Sequence, residues 1–114
     1  MVTVSMDTQV VKICKLVKLT NAFQVIHTVY STRWLVLKAI QACNTNAGAN
    51  ELQVCIVPPG GTASADNSIV WSKSIATKDY LTMGEHFLVP PGYTVQALCS
   101  VTGKMILTLN GQEE

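Results

Sequence analysis

The stretch Tyr93-Thr94-Val95-Gln96-Ala97-Leu98-Cys99-Ser100-Val101 sets Tyr93, Val95, Ala97, Cys99 and Val101 on one side and Thr94, Gln96 and Ser100 on the other. A period of two is the mark of a strand with one buried face. After Thr102-Gly103, the run Lys104 to Leu109 repeats the pattern with Met105, Leu107 and Leu109 aligned, and the two runs are predicted to pair as a C-terminal hairpin. Working back from there, Phe23 to Tyr30, Trp34 to Cys43, Leu52 to Val57, Ile69 to Ile75 and Leu81 to Val89 read as further short, β-branched strands. Between them lie Asn44 to Asn50, Pro58-Pro59-Gly60-Gly61 and Ala76 to Asp79. The Pro-Pro pairs cannot donate ladder hydrogen bonds, so they end strands. The fold expected is all-β: a single-domain antiparallel β-sandwich, jelly-roll-like, with seven to eight strands.

Val10 to Leu19 carries two periodicities. Val10, Val11, Cys14 and Val17 recur at helical spacing, while its β-branched content and the all-β surroundings favour a strand or arm. Residues 1–11 are assigned to an N-terminal arm and 12–114 to the sandwich. Met1, Val2, Thr3, Val4, Ser5 and Met6 are uncharged and strand-prone, with no glycine or proline to turn them back, so they are the candidate partner-binding residues. The four residues Val57-Pro58-Pro59-Gly60 return as Val89-Pro90-Pro91-Gly92, which is shared turn chemistry at two strand ends.

The 114 residues suffice for one core and leave no room for a second. Hydrophobic residues make up 48% and charged ones only 13%, so part of the surface is expected to be covered by a partner. Open sandwich edges would invite the same association. The net charge of +1 argues against nucleic acid or an anionic membrane as a partner. Lys12, Lys15, Lys18, Arg33 and Lys38 nevertheless fall in a stretch free of acids, which suits a patch or a head-to-tail contact. No apolar run approaches the ~20 residues that cross a bilayer, and synthesis in the host cytoplasm is expected.

No chemistry emerges from the motifs. Cys14, Cys43, Cys55 and Cys99 are widely spaced in apolar runs, so buried free thiols are expected, with neither disulfide nor metal. His27 sits in Val25-Ile26-His27-Thr28-Val29 and reads as a hydrogen-bonded or solvent-facing strand residue. Gly84-Glu85-His86 resembles part of a cupin metal site, but two histidines and no His-x-His fall short of the ligands such a site needs. Nucleophile elbows, phosphate loops and His-Glu-x-x-His are all missing, and Glu51, Asp66, Asp79 and Glu85 read as solvated turn acids. No catalytic, cofactor-binding or metal-binding residue is assigned, and the chain is read as a non-enzyme. Trp34 and Trp71 lie in strand runs and are expected in the core rather than with Tyr80 and Tyr93 in a sugar platform.

Four segments carry a family likeness: Leu37-Lys38-Ala39-Ile40-x-x-Cys43-Asn44-Thr45; Val57-Pro58-Pro59-Gly60-Gly61-Thr62-Ala63; Leu88-x-Pro90-Pro91-Gly92-x-x-Val95-Gln96-Ala97; and Gly111-x-Glu113. In this order, over residues 34 to 114, they resemble small β-sandwich virion proteins of tailed bacteriophages. The resemblance implies a capsid decoration or cement protein on the virion surface. Its partners would be the major capsid protein and copies of itself as a homo-oligomer on the lattice. No catalytic residues come with it, and the N-terminal third departs from the pattern. The alternative is a fibre-tip or receptor-binding recognition module of the tail or head.

Overall fold

The structure, a computed structural model, describes residues 10–84 and 86–114. Among these lie nine strands: β1 (Val11–Lys18), β2 (Gln24–Thr28), β3 (Leu35–Asn44), β4 (Asn50–Val57), β5 (Ser68–Ile75), β6 (Tyr80–Met83), β7 (Phe87–Val89), β8 (Thr94–Cys99) and β9 (Met105–Glu113). One antiparallel sheet runs β1-β9-β3-β6, with β7 also pairing β3; the other runs β2-β8-β4-β5. Since β6 and β7 pair successive parts of β3, they share one lane, and the nine segments fill eight lanes. The expected run Leu81 to Val89 divides into β6, which ends at Met83, and β7, which starts at Phe87, and this is why the count exceeds seven to eight. Pairing is nested: β1 with β9, β2 with β8, β3 with β6 and β7, β4 with β5. This long hairpin, rolled so that β9 also meets β3 and β8 meets β4, is a jelly roll.

Alternation places the core. Val95, Ala97 and Cys99 of β8 and Leu52 and Val54 of β4 face Met105, Leu107 and Leu109 of β9 and Leu35, Leu37, Ile40 and Ala42 of β3, all buried. Each fully buried aliphatic side chain of this size contributes roughly 1.5–3 kcal/mol. Val10 to Leu19 resolves as a strand, with Val11, Ile13 and Val17 turned inward.

Three expectations need correction. β8 and β9 do not form a hairpin, because the turn between them crosses from one sheet to the other and the strands pair elsewhere. Here Leu19 N–H donates to the Met105 carbonyl and Cys99 N–H to the Thr20 carbonyl, so the β1–β2 connection meets each strand separately. Trp34 and Trp71 are 48% and 45% exposed and lie outside the core. Trp34 precedes β3 at one end of the sandwich, and Trp71 sits beside an irregularity in β5, where Ser72 has φ 50°. Finally, Cys14 and Cys43 are exposed on the outer face, and only Cys55 and Cys99 are buried.

Burial pushes the Cys55 and Cys99 thiols up, against the weaker opposing pull of their hydrogen bonds. Less thiolate and less access act together. A disulfide-exchange reagent is therefore expected to titrate two thiols in the folded protein and the remaining two only on unfolding. Four equally fast thiols would contradict the burial.

The two ends of the sandwich are built differently. At one, Pro58-Pro59-Gly60-Gly61 and Pro90-Pro91-Gly92-Tyr93 are type II turns, with Gly60 and Gly92 at φ 74° and 79° and closing hydrogen bonds of 2.9 and 3.3 Å. The turns also touch, since a Cβ on Gly92 would lie 3.2 Å from Pro59 Cγ. At the other end, buried Asn44 donates to the carbonyls of Gly48, Ile75 and Ala76 and accepts from Asn46 N–H. Buried Asn50 accepts from Val101 N–H and donates to its carbonyl.

Candidate functional site

The surfaces available to a partner are the sheet edges, the outer faces and the proline end. The edges are less inviting than the sequence suggests. β1 and β5 are edge strands, and each carries a lysine at an inward-facing position: Lys15 opposite buried Leu109 and Lys73 opposite buried Leu52. Adding a strand alongside would bury those ammonium groups. β2 has only five residues and a bulge, and the β6–β7 lane is interrupted. Every edge is blunted by charge, brevity or irregularity.

The outer face of the β1-β9-β3-β6 sheet is different. Leu16, Tyr80 and Leu88 stand 72%, 62% and 67% exposed, and Cys14 and Cys43 are exposed with them. Lys12 and Lys18 flank this face on β1, and the only acid in the sheet's strands, Glu113, points inward.

Beneath the proline end lies a buried side-chain-to-side-chain link between the two sheets. His27 of β2 hydrogen-bonds through Nε2 to Glu113 Oε2 of β9, with side chains 8% and 5% exposed. The other carboxylate oxygen accepts from Tyr30 N–H at 3.4 Å. A bulge between Val25 and His27 allows consecutive residues, Ile26 and His27, both to be buried. The hydrogen-bonded reading of His27 thus holds, with a partner 86 residues away that no local pattern could name.

The candidate residues Met1, Val2, Thr3, Val4, Ser5 and Met6 lie outside the described residues; Val11, placed at the end of the arm, opens β1. His86 is exposed, and no cluster of three or more His, Cys, Asp or Glu occurs among the described residues. The aromatics do not form one platform: Trp71 and Tyr80 sit on strands of opposite sheets, and Trp34 is at the proline end.

The sequence matches no known family model and no curated protein. The fold, however, is similar to that of a chain in the T13 particle of infectious bursal disease virus, with a TM-score of 0.53 and 7% identity. That likeness covers 99% of this chain and 35% of the viral one, so the whole of this chain corresponds to about a third of its neighbour. A chain of the Gx strain of the same virus gives a TM-score of 0.48 at 9% identity, over 94% of this chain and 29% of that one. At such identities the likeness is one of fold: the jelly roll is shared with a chain of an icosahedral viral particle.

Proposed function

We propose that the chain is a non-catalytic structural subunit of a virion, and specifically a decoration or cement protein that binds the outside of a phage head and stabilises contacts between coat subunits. The observation that carries this reading is the jelly roll itself, which takes up the whole described chain and is an architecture common in viral capsids. The outer face, whose strands carry no outward acid and expose Leu16, Tyr80 and Leu88, adds a surface that a partner could cover. The segments resembling phage virion proteins supply the assignment to a head. Cementing works through many modest contacts repeated over one shell. Exposed Trp34 and Trp71 favour the alternative of a recognition module, but they stand on separate surfaces.

Mixing the purified chain with shells assembled from the coat protein encoded in the same genome, followed by sedimentation and imaging, tests the reading. Density of this size repeated over the shell is the expected result; density confined to a tail tip would favour the recognition module. Within this reading, residues 1–8 act as an arm that engages a neighbouring subunit. Their deletion is expected to leave unfolding cooperative while weakening attachment about tenfold or more, because the main-chain hydrogen bonds of an added strand supply affinity. Attachment as tight as that of the full chain would refute the arm.

A further inference from the structure

We propose that the loop joining β2 to β3 is a preformed anchor, in which Tyr30, Arg33 and Trp34 grip a carboxylate-bearing, apolar-pocketed surface of a coat subunit. This rests on the capsid reading above and names the face through which the subunit attaches. Tryptophan, tyrosine and arginine are the residue types that dominate protein interfaces. All three lie in this one loop of the proline end, with Tyr30 59% and Trp34 48% exposed and Arg33 half-buried between them.

What distinguishes the loop from scattered surface aromatics is how firmly it is held. Arg33 N–H donates to the Tyr30 carbonyl at 3.1 Å and closes a turn, and the Arg33 guanidinium lies 5.2 Å from the centroid of the Tyr30 ring. Trp34 and Glu114 exchange two backbone hydrogen bonds of 2.9 Å. On the other flank, Val29 N–H donates to the Tyr93 carbonyl and the Val29 carbonyl accepts from Gly92 N–H. Beneath, Glu113 accepts from both His27 and Tyr30. A backbone fixed in this way loses little freedom on binding, and loop ordering is part of the cost of association.

The chemistry of the partner follows from what is already satisfied. Among the described residues no carboxylate forms an ion pair with Arg33, and the neighbouring Glu114 side chain instead accepts from Gln112 Nε2 at 2.8 Å. A guanidinium resting on an aromatic ring keeps its N–H donors in a flat fork that matches a carboxylate. With Arg33 over the Tyr30 ring, that ring face is taken, which disfavours stacked sugar and leaves the indole as the apolar plug.

The test is binding of the full chain and its variants to shells lacking it. Trp34→Ala is expected to weaken binding about 30-fold or more, the scale of an interface anchor. Arg33→Gln should cost about tenfold and flatten the salt dependence, and Arg33→Lys, which keeps the charge, should restore the salt dependence but not the affinity, because an ammonium has no fork. Lys104→Gln, in the turn between β8 and β9 at the opposite end of the sandwich, should bind as the parent does. Unfolding midpoints close to the parent's would show that the variants keep the fold. If Trp34→Ala combined with Arg33→Gln binds as tightly as the parent, the anchor is wrong while the capsid role stands. If the parent chain itself does not bind the shells, both readings fall.

Discussion

Replacing Glu113 by alanine is expected to lower the unfolding free energy by about 3–5 kcal/mol, the cost of removing one member of a buried, hydrogen-bonded pair. The residue is 4% exposed and holds both His27 Nε2 and Tyr30 N–H. Its loss leaves an imidazole without its partner inside the sandwich and frees the loop that carries Arg33. Glu113→Gln keeps an acceptor and should cost less, about 1–2 kcal/mol. Replacing His27 and Glu113 together by leucine should recover part of the loss, because no polar side chain is then orphaned between the sheets and only Tyr30 N–H loses its acceptor. Denaturant unfolding monitored by tryptophan fluorescence gives these differences. A loss below about 1 kcal/mol for Glu113→Ala would mean that the pair does not tie the sheets together.

Two residues earlier, Gly111→Ala is expected to cost about 3 kcal/mol, and Gly111→Val to prevent accumulation of soluble protein. Gly111 pairs with Ile13 on one side and Leu37 on the other, just where β3 bulges at Lys38. A Cβ there would stand 2.4 Å from the Val36 carbonyl oxygen and 3.2 Å from the Leu37 Cα. Both obstacles are backbone, so the strand itself would have to move. Thermal or denaturant unfolding of Gly111→Ala provides the check; a change within 1 kcal/mol would show that β3 yields easily.

These two residues form the Gly-x-Glu segment that the sequence offers only as a family likeness. Its physical reasons lie in contacts with Val36 and His27, far away in the chain, and no local periodicity reports such distances. What alternation does report was legible: Val95, Ala97 and Cys99, and then Met105, Leu107 and Leu109, are buried as their spacing requires. The paired Pro-Pro-Gly turns were legible too, because glycine at positive φ after proline is local chemistry. Alternation is silent on which sheet a strand joins, and so β8 and β9, adjacent in sequence, were misread as a hairpin. Trp34 and Trp71 were misplaced by reasoning from side-chain area alone. For Trp34 the polar run Ser31-Thr32-Arg33 just before it was the available sign of a strand end rather than a strand interior.

The nested pairing bears on how the molecule is made. β9 fits between β1 and β3, and nearly every strand's partner lies far from it in sequence. Folds dominated by such distant pairings form slowly, in milliseconds to seconds. During synthesis β1 and β3 must wait on the ribosome's surface, their apolar faces uncovered, until β9 has emerged to fill the gap. Only the hairpin of β4 and β5 can close early, across the loop that holds Pro58-Pro59-Gly60-Gly61. Closure of the first sheet therefore waits for β9, and the inward lysines on β1 and β5 help keep the waiting strands from pairing with those of another nascent chain.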